Sequence, residues 1–291
     1  MEINENDLKI WKQKLLSILD FFVMTCEQNN IKYYCCGGTA LGAVRHGGYI
    51  PWDDDIDVIM PRADYDKFEQ LMNNMNSDEF ELISVYKNSN YYYPFNKLCL
   101  KQTSLIELDN QPYVEGLYLD IFPIDGCSES FSEFSKMLKS YRILSWKLEA
   151  KSVPFQFSSI LTYLKRKYYS ILKPLPFYFV KSLLNRNKII ADLNKISSRY
   201  SYDSSDYVVV YSGSYGKKER IKKEWLGDGI IVDFENIRVR IPTNYDAYLT
   251  HIYGDYMKMP PKEKQVGHHF AYYYNLSERL SLEEIHLLVN K

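Results

Sequence analysis

Along the first thirty positions apolar residues recur at steps of three and four: Leu8, Trp11, Leu15, Ile18, Leu19, Phe22, Val23 and Cys26. Such spacing lays one apolar stripe along a helix, and Asn29-Asn30 is expected to stop it. Residues 31–36 read as a short buried strand, broken by Gly37-Gly38. Thr39 is then placed to cap a short helix through about Arg45, which Gly47-Gly48 ends. Residues 50–60 return as a strand that carries Asp53, Asp54, Asp55 and Asp57 and closes at Pro61. A helix from about Asp64 follows, with Tyr65, Phe68, Leu71 and Met72 on one face. Further strands are expected over 81–86, 95–100 and 117–122, the last ended by Pro123. Helices interleaved with strands in this way predict an α+β fold, a mixed β-sheet flanked by helices.

The pattern changes at residue 151. From 151 to 191 there are eight basic residues and no acidic ones, interleaved with aromatic rings, and Pro174 and Pro176 divide the stretch into two short helical pieces. Sheet-like character returns at 207–211 and 230–241, where Ile237, Val239 and Ile241 share a face. The chain therefore divides into a catalytic core over 1–130, a basic and aromatic helical insertion over 131–205, and C-terminal strands and a helix over 206–291 that complete the site.

A chain of 291 residues, 46% of them hydrophobic, can build one large domain or a core with a smaller appendage. Its 36 basic and 37 acidic residues leave a net charge of −1, which gives no global attraction to nucleic acid or membrane. Any polyanion contact must come from a local patch. The 151–191 stretch is such a patch, and its mixture of cations and rings suits a peripheral membrane dock. A helical lid with a solvated basic face is the plain alternative. No nucleic-acid-binding module accompanies it, so no nucleic-acid partner is expected. The five cysteines are odd in number and form no Cys-x-x-Cys pair, which predicts buried free thiols and a reducing compartment. The first residues are acidic and polar, unlike a secretion signal, and no apolar run reaches the roughly 20 residues of a spanning helix. The expected location is cytoplasmic, peripheral on the inner face of the membrane.

Residues two apart in a strand share a face, so Asp55 and Asp57 should project together. Two carboxylates on one face repel unless a cation lies between them, and oxygen-only donors suit Mg²⁺ or Mn²⁺. Upstream, Gly37-Gly38-Thr39 joins a strand to a helix, where bare backbone and a helix N-terminus can approach a phosphate. A phosphate cradle followed by a two-carboxylate strand makes a coherent phosphoryl-transfer site. Taken alone, Gly-Gly-Thr is most often a turn and an acidic cluster a solvated loop; the apolar residues alternating with the aspartates argue for a half-buried strand instead. Arg45, His46 and Lys97 read equally as phosphate partners or as surface charges. Trp52 can stack on a base, face a quaternary ammonium, or fill the core.

The run from Gly37 to Asp57, Gly-Gly-Thr-Ala-Leu-Gly-Ala-Val-Arg-His-Gly-Gly-Tyr-Ile-Pro-Trp-Asp-Asp-Asp-Ile-Asp, closely resembles the signature of the LicD family. So does its continuation Met60-Pro61-Arg62-Ala63-Asp64-Tyr65. Leu119-Asp120-Ile121-Phe122-Pro123-Ile124-Asp125-Gly126, Tyr253-Gly254-Asp255-Tyr256-Met257, Pro260-Pro261 and His268 extend the likeness, while 130–205 has no residue-by-residue match. The family is related to the fukutin group and belongs to the nucleotidyltransferase-fold superfamily.

That resemblance implies a nucleotidyltransferase-like sheet with Asp55 and Asp57 as a metal pair and Asp120 as the third catalytic carboxylate. Donor phosphates would then meet Gly37, Gly38, Thr39, Arg45, His46 and Lys97. Further substrate contacts would come from Trp52, Asp53, Asp54 and His268. The implied reaction moves a phosphorylated small alcohol, phosphocholine foremost, from a CDP-linked donor to a sugar hydroxyl of a surface glycan such as teichoic acid or capsular or lipo-polysaccharide. It depends on Mg²⁺ and releases CMP. An acceptor carried on a membrane lipid would match the basic stretch. Ethanolamine, glycerol and ribitol stand beside choline as candidate alcohols. The rival readings are a nucleotidyltransferase that releases pyrophosphate from an NTP, and a non-catalytic glycan- or cation-binding module.

Overall fold

The computed structural model describes residues 3–157, 160, 164, 172–265, 267 and 271–289. The apolar stripe at the start of the chain becomes α1, Glu5–Gln28. Asn4 caps it by accepting the Asp7 N–H, and Leu15, Ile18, Leu19, Phe22 and Val23 are buried along its inner face. Burying each such side chain contributes about 1.5–3 kcal/mol, so the helix is held by its packed face rather than by propensity.

Next come β1 (Tyr34–Cys35), α2 (Gly37–His46), β2 (Asp57–Pro61), α3 (Arg62–Asn74), β3 (Phe80–Ile83), β4 (Asn96–Leu100), β5 (Ser104–Ile106) and β6 (Tyr118–Cys127). They are followed by α4 (Phe131–Ser152), α5 (Leu175–Tyr178), α6 (Arg186–Ser197), β7 (Tyr207–Val209), β8 (Arg220–Lys222), β9 (Ile230–Phe234) and β10 (Ile237–Ile241). The described chain ends with α7 (Tyr245–Tyr253), β11 (Tyr273–Asn275) and α8 (Leu282–Val289). The main sheet runs β1-β2-β6-β4-β3, with β2 and β6 parallel and the other neighbours antiparallel. The second half of β6 pairs with β7, and β7 with β8. The expected mixed sheet with flanking helices is therefore what the chain builds. α1 and α3 lie side by side against it, joined where the Phe22 and Phe68 rings approach to 5.1 Å.

Four expectations are corrected. The strand expected over 50–60 begins only at Asp57: residues 51–52 turn, and residues 53–56 form a loop that touches the ladder only through the Ile56 carbonyl. That loop is tied to α1, whose Trp11 indole donates to the Asp54 carbonyl at 2.8 Å. The strand expected over 31–36 shrinks to Tyr34–Cys35. Thr39 is not a helix cap, because α2 begins two residues earlier, at Gly37. Pro123 does not end β6. The Asp120 N–H points to β2, donating to Ile56 at 3.0 Å, so by alternation position 123 faces the β4 side, beyond the last partner Asn96. A proline costs no ladder bond there.

Two segments of the LicD-like pattern are fastened to each other. Arg62, the first residue of α3, makes a two-pronged ion pair with Asp125 of β6, Nε to Oδ1 and Nη2 to Oδ2, both at 2.8 Å. The five cysteines are buried and unbridged, as expected. Among the described residues no helix is long and apolar enough to cross a membrane.

Candidate functional site

The site forms where β1 hands over to α2, beside the start of β2. Gly37 has φ +52°, a conformation open to glycine, and a Cβ there would lie 3.5 Å from Asp57 Oδ2. A Cβ on Gly38 would sit 2.5 Å from Asp53 Oδ2. The double glycine thus lets two carboxylates come up against bare backbone. Asp57 is clamped by the same junction: its carbonyl accepts the Cys36 N–H at 3.1 Å, and its N–H donates to Thr39 Oγ1 at 2.9 Å. The Thr39 hydroxyl, expected at the donor phosphates, is buried and accepts this Asp57 N–H.

Asp55 and Asp57 line one cleft of about 380 Å³. They do so although only Asp57 belongs to the strand. Asp120 lies beside Asp57, its register partner across the parallel β2–β6 pair. Asp53, Asp54 and Asp55 form a second grouping, with carboxylate oxygens all within 4.8 Å of one another, a spacing that can hold a metal ion. Asp55 is common to both. A Cβ at Gly267 would approach Asp54 Oδ2 to 3.0 Å, so Gly267 lies against this loop. His268 lies outside the described residues.

Lys97 is placed differently from a phosphate partner. Although opposite Asp120 in register, it is only 1% exposed. Its ammonium lies 3.0 Å from Glu115 and 3.4 Å from Glu107, over the Tyr118 ring at 3.4 Å. The carboxylates hold its pKa above the ordinary lysine value against desolvation, while burial pushes Glu115 up to about 8. Lys97 is absent from the cleft wall, its charge already matched inside the protein. Arg45 donates to the Tyr256 carbonyl at 2.7 Å. The neighbouring His46 ring meets Trp52 edge-on at 6.4 Å, and desolvation followed by the Arg45 charge lowers its pKa.

The opposite wall of the cleft was not read from the sequence. It comes from residues 210–221 and α7: Gly213, Ser214, Tyr215, Glu219 and Tyr248. The Tyr248 hydroxyl accepts the Gly37 N–H at 3.1 Å, and the Tyr215 and Tyr253 hydroxyls bond each other. The Glu219 carboxylate accepts the Tyr215 N–H at 2.9 Å and sits where a Cβ on Gly213 would be. Burial pushes its pKa up to about 7, against the opposing bond from Tyr215 and the charge of Arg142. Because β8 follows Glu219 directly and is anchored through β7 to β6, one strand sets both Asp120 and the far wall.

Comparison with known proteins shows what the chain is similar to. Residues 30–158 match the family model described as LicD/FKTN/FKRP, nucleotidyltransferase domain. Over 270 residues, 90% of this chain and 95% of the relative, it is 29% identical to the lipopolysaccharide cholinephosphotransferase LicD of Haemophilus influenzae. It is also 41% identical over 51 residues to the ribitol 5-phosphate transferase FKRP of Homo sapiens, covering 18% of this chain and 10% of that one. The matched span contains the double-glycine junction, the aspartate loop, β2 and β6, and it marks the chain as carrying a LicD-family domain.

Proposed function

We propose that this protein transfers a phosphorylated small alcohol, phosphocholine foremost, from a CDP-linked donor to a sugar hydroxyl of a surface glycan. The observation that carries this reading is the placing of Asp55 and Asp57 in one cleft with the bare backbone at Gly37. The activities of the two relatives, a cholinephosphotransferase and a ribitol 5-phosphate transferase, support the same class of reaction. An all-oxygen donor set drawn from Asp53, Asp54, Asp55, Asp57 and Asp120 fits a hard cation, Mg²⁺ or Mn²⁺. Held there, such a cation would supply charge neutralisation for the donor pyrophosphate.

The protein's own groups divide the remaining work. The clamp from Cys36 and Thr39 fixes Asp57, and Tyr215 and Tyr248 line the cleft opposite it. The acceptor hydroxyl attacks the phosphorus that bears the alcohol. A new O–P bond forms, the bond to the CMP oxygen breaks, and the hydroxyl proton passes to Glu219, whose raised pKa suits a general base near neutral pH. Lys97, matched internally, is left out of the donor contacts.

The test is CMP release from a panel of CDP-alcohols, with Mg²⁺ and with EDTA, for the native chain and Asp57→Ala. Release from one donor, abolished by EDTA and by the substitution, is the expected result. Pyrophosphate from an NTP with no CDP-alcohol cleaved would replace this reading with a nucleotidyltransferase. No turnover and no calorimetric binding of any donor would overturn both.

A further inference from the structure

We infer that the end of α4, together with α5 and the turn after it, is a docking surface for an anionic lipid bilayer. The structure joins these segments into one patch: Lys151 Nζ donates to the Lys181 carbonyl at 3.3 Å, Lys181 Nζ to the Val153 carbonyl at 3.0 Å, and the Phe155 and Tyr178 rings approach to 5.2 Å. Large apolar side chains stand out from it into solvent. Phe179 is 83% exposed, Leu183 82% and Phe157 66%, with Phe155 and Val180 also exposed. A soluble surface has no use for such a group of rings and aliphatic chains, whereas the boundary between headgroups and acyl chains accepts them.

Charge decides what covers the patch. Residues 151–191 hold eight cations and no acid, whereas the rest of the chain holds 28 basic and 37 acidic residues. Lys173 is exposed and lies 6.0 Å from the Trp146 ring; the carboxylate it faces, Glu149 of α4, is half-buried. Among the described residues Lys151, Lys173 and Lys181 stand on these segments with the exposed aromatic and aliphatic groups, a combination that fits an anionic leaflet, to which each lysine near the surface adds about fivefold in partitioning. A second copy of this chain would set like charge against like over the same patch.

The full chain is sedimented with vesicles of phosphatidylglycerol mixed with phosphatidylcholine, and with phosphatidylcholine alone. The expected result is binding to the mixed vesicles only, falling steeply as salt rises to about 1 M, where the screening length is ~3 Å. Phe179→Ser with Leu183→Ser should lose about tenfold in partitioning, and Lys173→Glu more than the roughly fivefold of a simple deletion. Circular dichroism and the thermal midpoint should stay those of the native chain. Equal binding to phosphatidylcholine, no binding to either vesicle, or a dimer in solution abolished by the Phe179 and Leu183 substitutions would each overturn the proposal. None of these readouts depends on the transferase reading.

Discussion

Arg62→Met tests the fastening between α3 and β6. Asp125 is 3% exposed on its side chain and receives both prongs of the Arg62 guanidinium at 2.8 Å. Asp66, at 3.8 Å from Arg62 and half exposed, adds little. Removing the guanidinium leaves a buried carboxylate with its partner gone, a change that costs about 3–5 kcal/mol. At roughly 2–4 °C per kcal/mol for a chain of this size class, the thermal midpoint should fall by roughly 6–20 °C. The pH dependence gives a second check. Burial already raises the Asp125 pKa above its ordinary value despite Arg62, and losing Arg62 must raise it further. A carboxyl whose pKa is higher folded than unfolded binds more protons in the native state, so stability is gained as pH falls between the two values. The deficit of Arg62→Met should therefore be largest at neutral pH and shrink toward acid. Scanning calorimetry and urea unfolding across pH measure it, and pairing the change with Asp125→Leu should recover most of the loss. A deficit under about 1 kcal/mol, or one unchanged in acid, would refute the reasoning.

Three further outcomes are expected. Lys97→Met should cost about 3–5 kcal/mol by leaving Glu107 and Glu115 without their cation, with donor KM unchanged in the folded fraction; a raised KM at native stability would place Lys97 on the donor instead. Gly38→Ala puts a methyl 2.5 Å from Asp53 Oδ2, and displacing that carboxylate should weaken Mg²⁺ binding by roughly 10–100-fold in a calorimeter while the far-ultraviolet spectrum stays native. Glu219→Gln should lower kcat by about 10²–10⁴-fold and remove the acidic limb of the pH–rate profile, whose midpoint follows a base titrating at about 7; a profile that keeps the limb assigns the proton elsewhere.

What could be read from the sequence was what neighbouring residues decide together. The stripe of α1, the stop at Asn29 and the left-handed cap at Gly47 are local, and they stand where the spacing put them. The aspartate loop misled because three consecutive carboxylates followed by Ile56 resemble a half-buried strand, whereas the ladder needs a partner, and β1 offers only Tyr34, paired with Ile59, and Cys35, paired with Val58. Pro123 misled in the opposite direction, since its harmlessness depends on where β4 begins. Tyr215, Glu219 and Tyr248 carried no signal at all, having neither periodicity nor motif. Tyr215 and Glu219 reach the cleft because β6 continues past Pro123 to collect β7 and β8, and Tyr248 because α7 packs on α2. Lys97 gave no sign of its partners, which lie 10 and 18 positions away beyond a separate short strand.

The parallel pairing of β2 with β6 also orders events in time. Each helix can flicker into existence by itself, but Asp57 meets Asp120 only after the chain between them has closed into a loop, an entropic cost that must be met before the pairing returns anything. Contacts so distant along the chain slow folding, and partly folded species would have the flanking helices before they have the cleft. A molecule that binds the cleft would then find no purchase on those early species, and adding it during refolding should slow escape from the native state without hastening arrival.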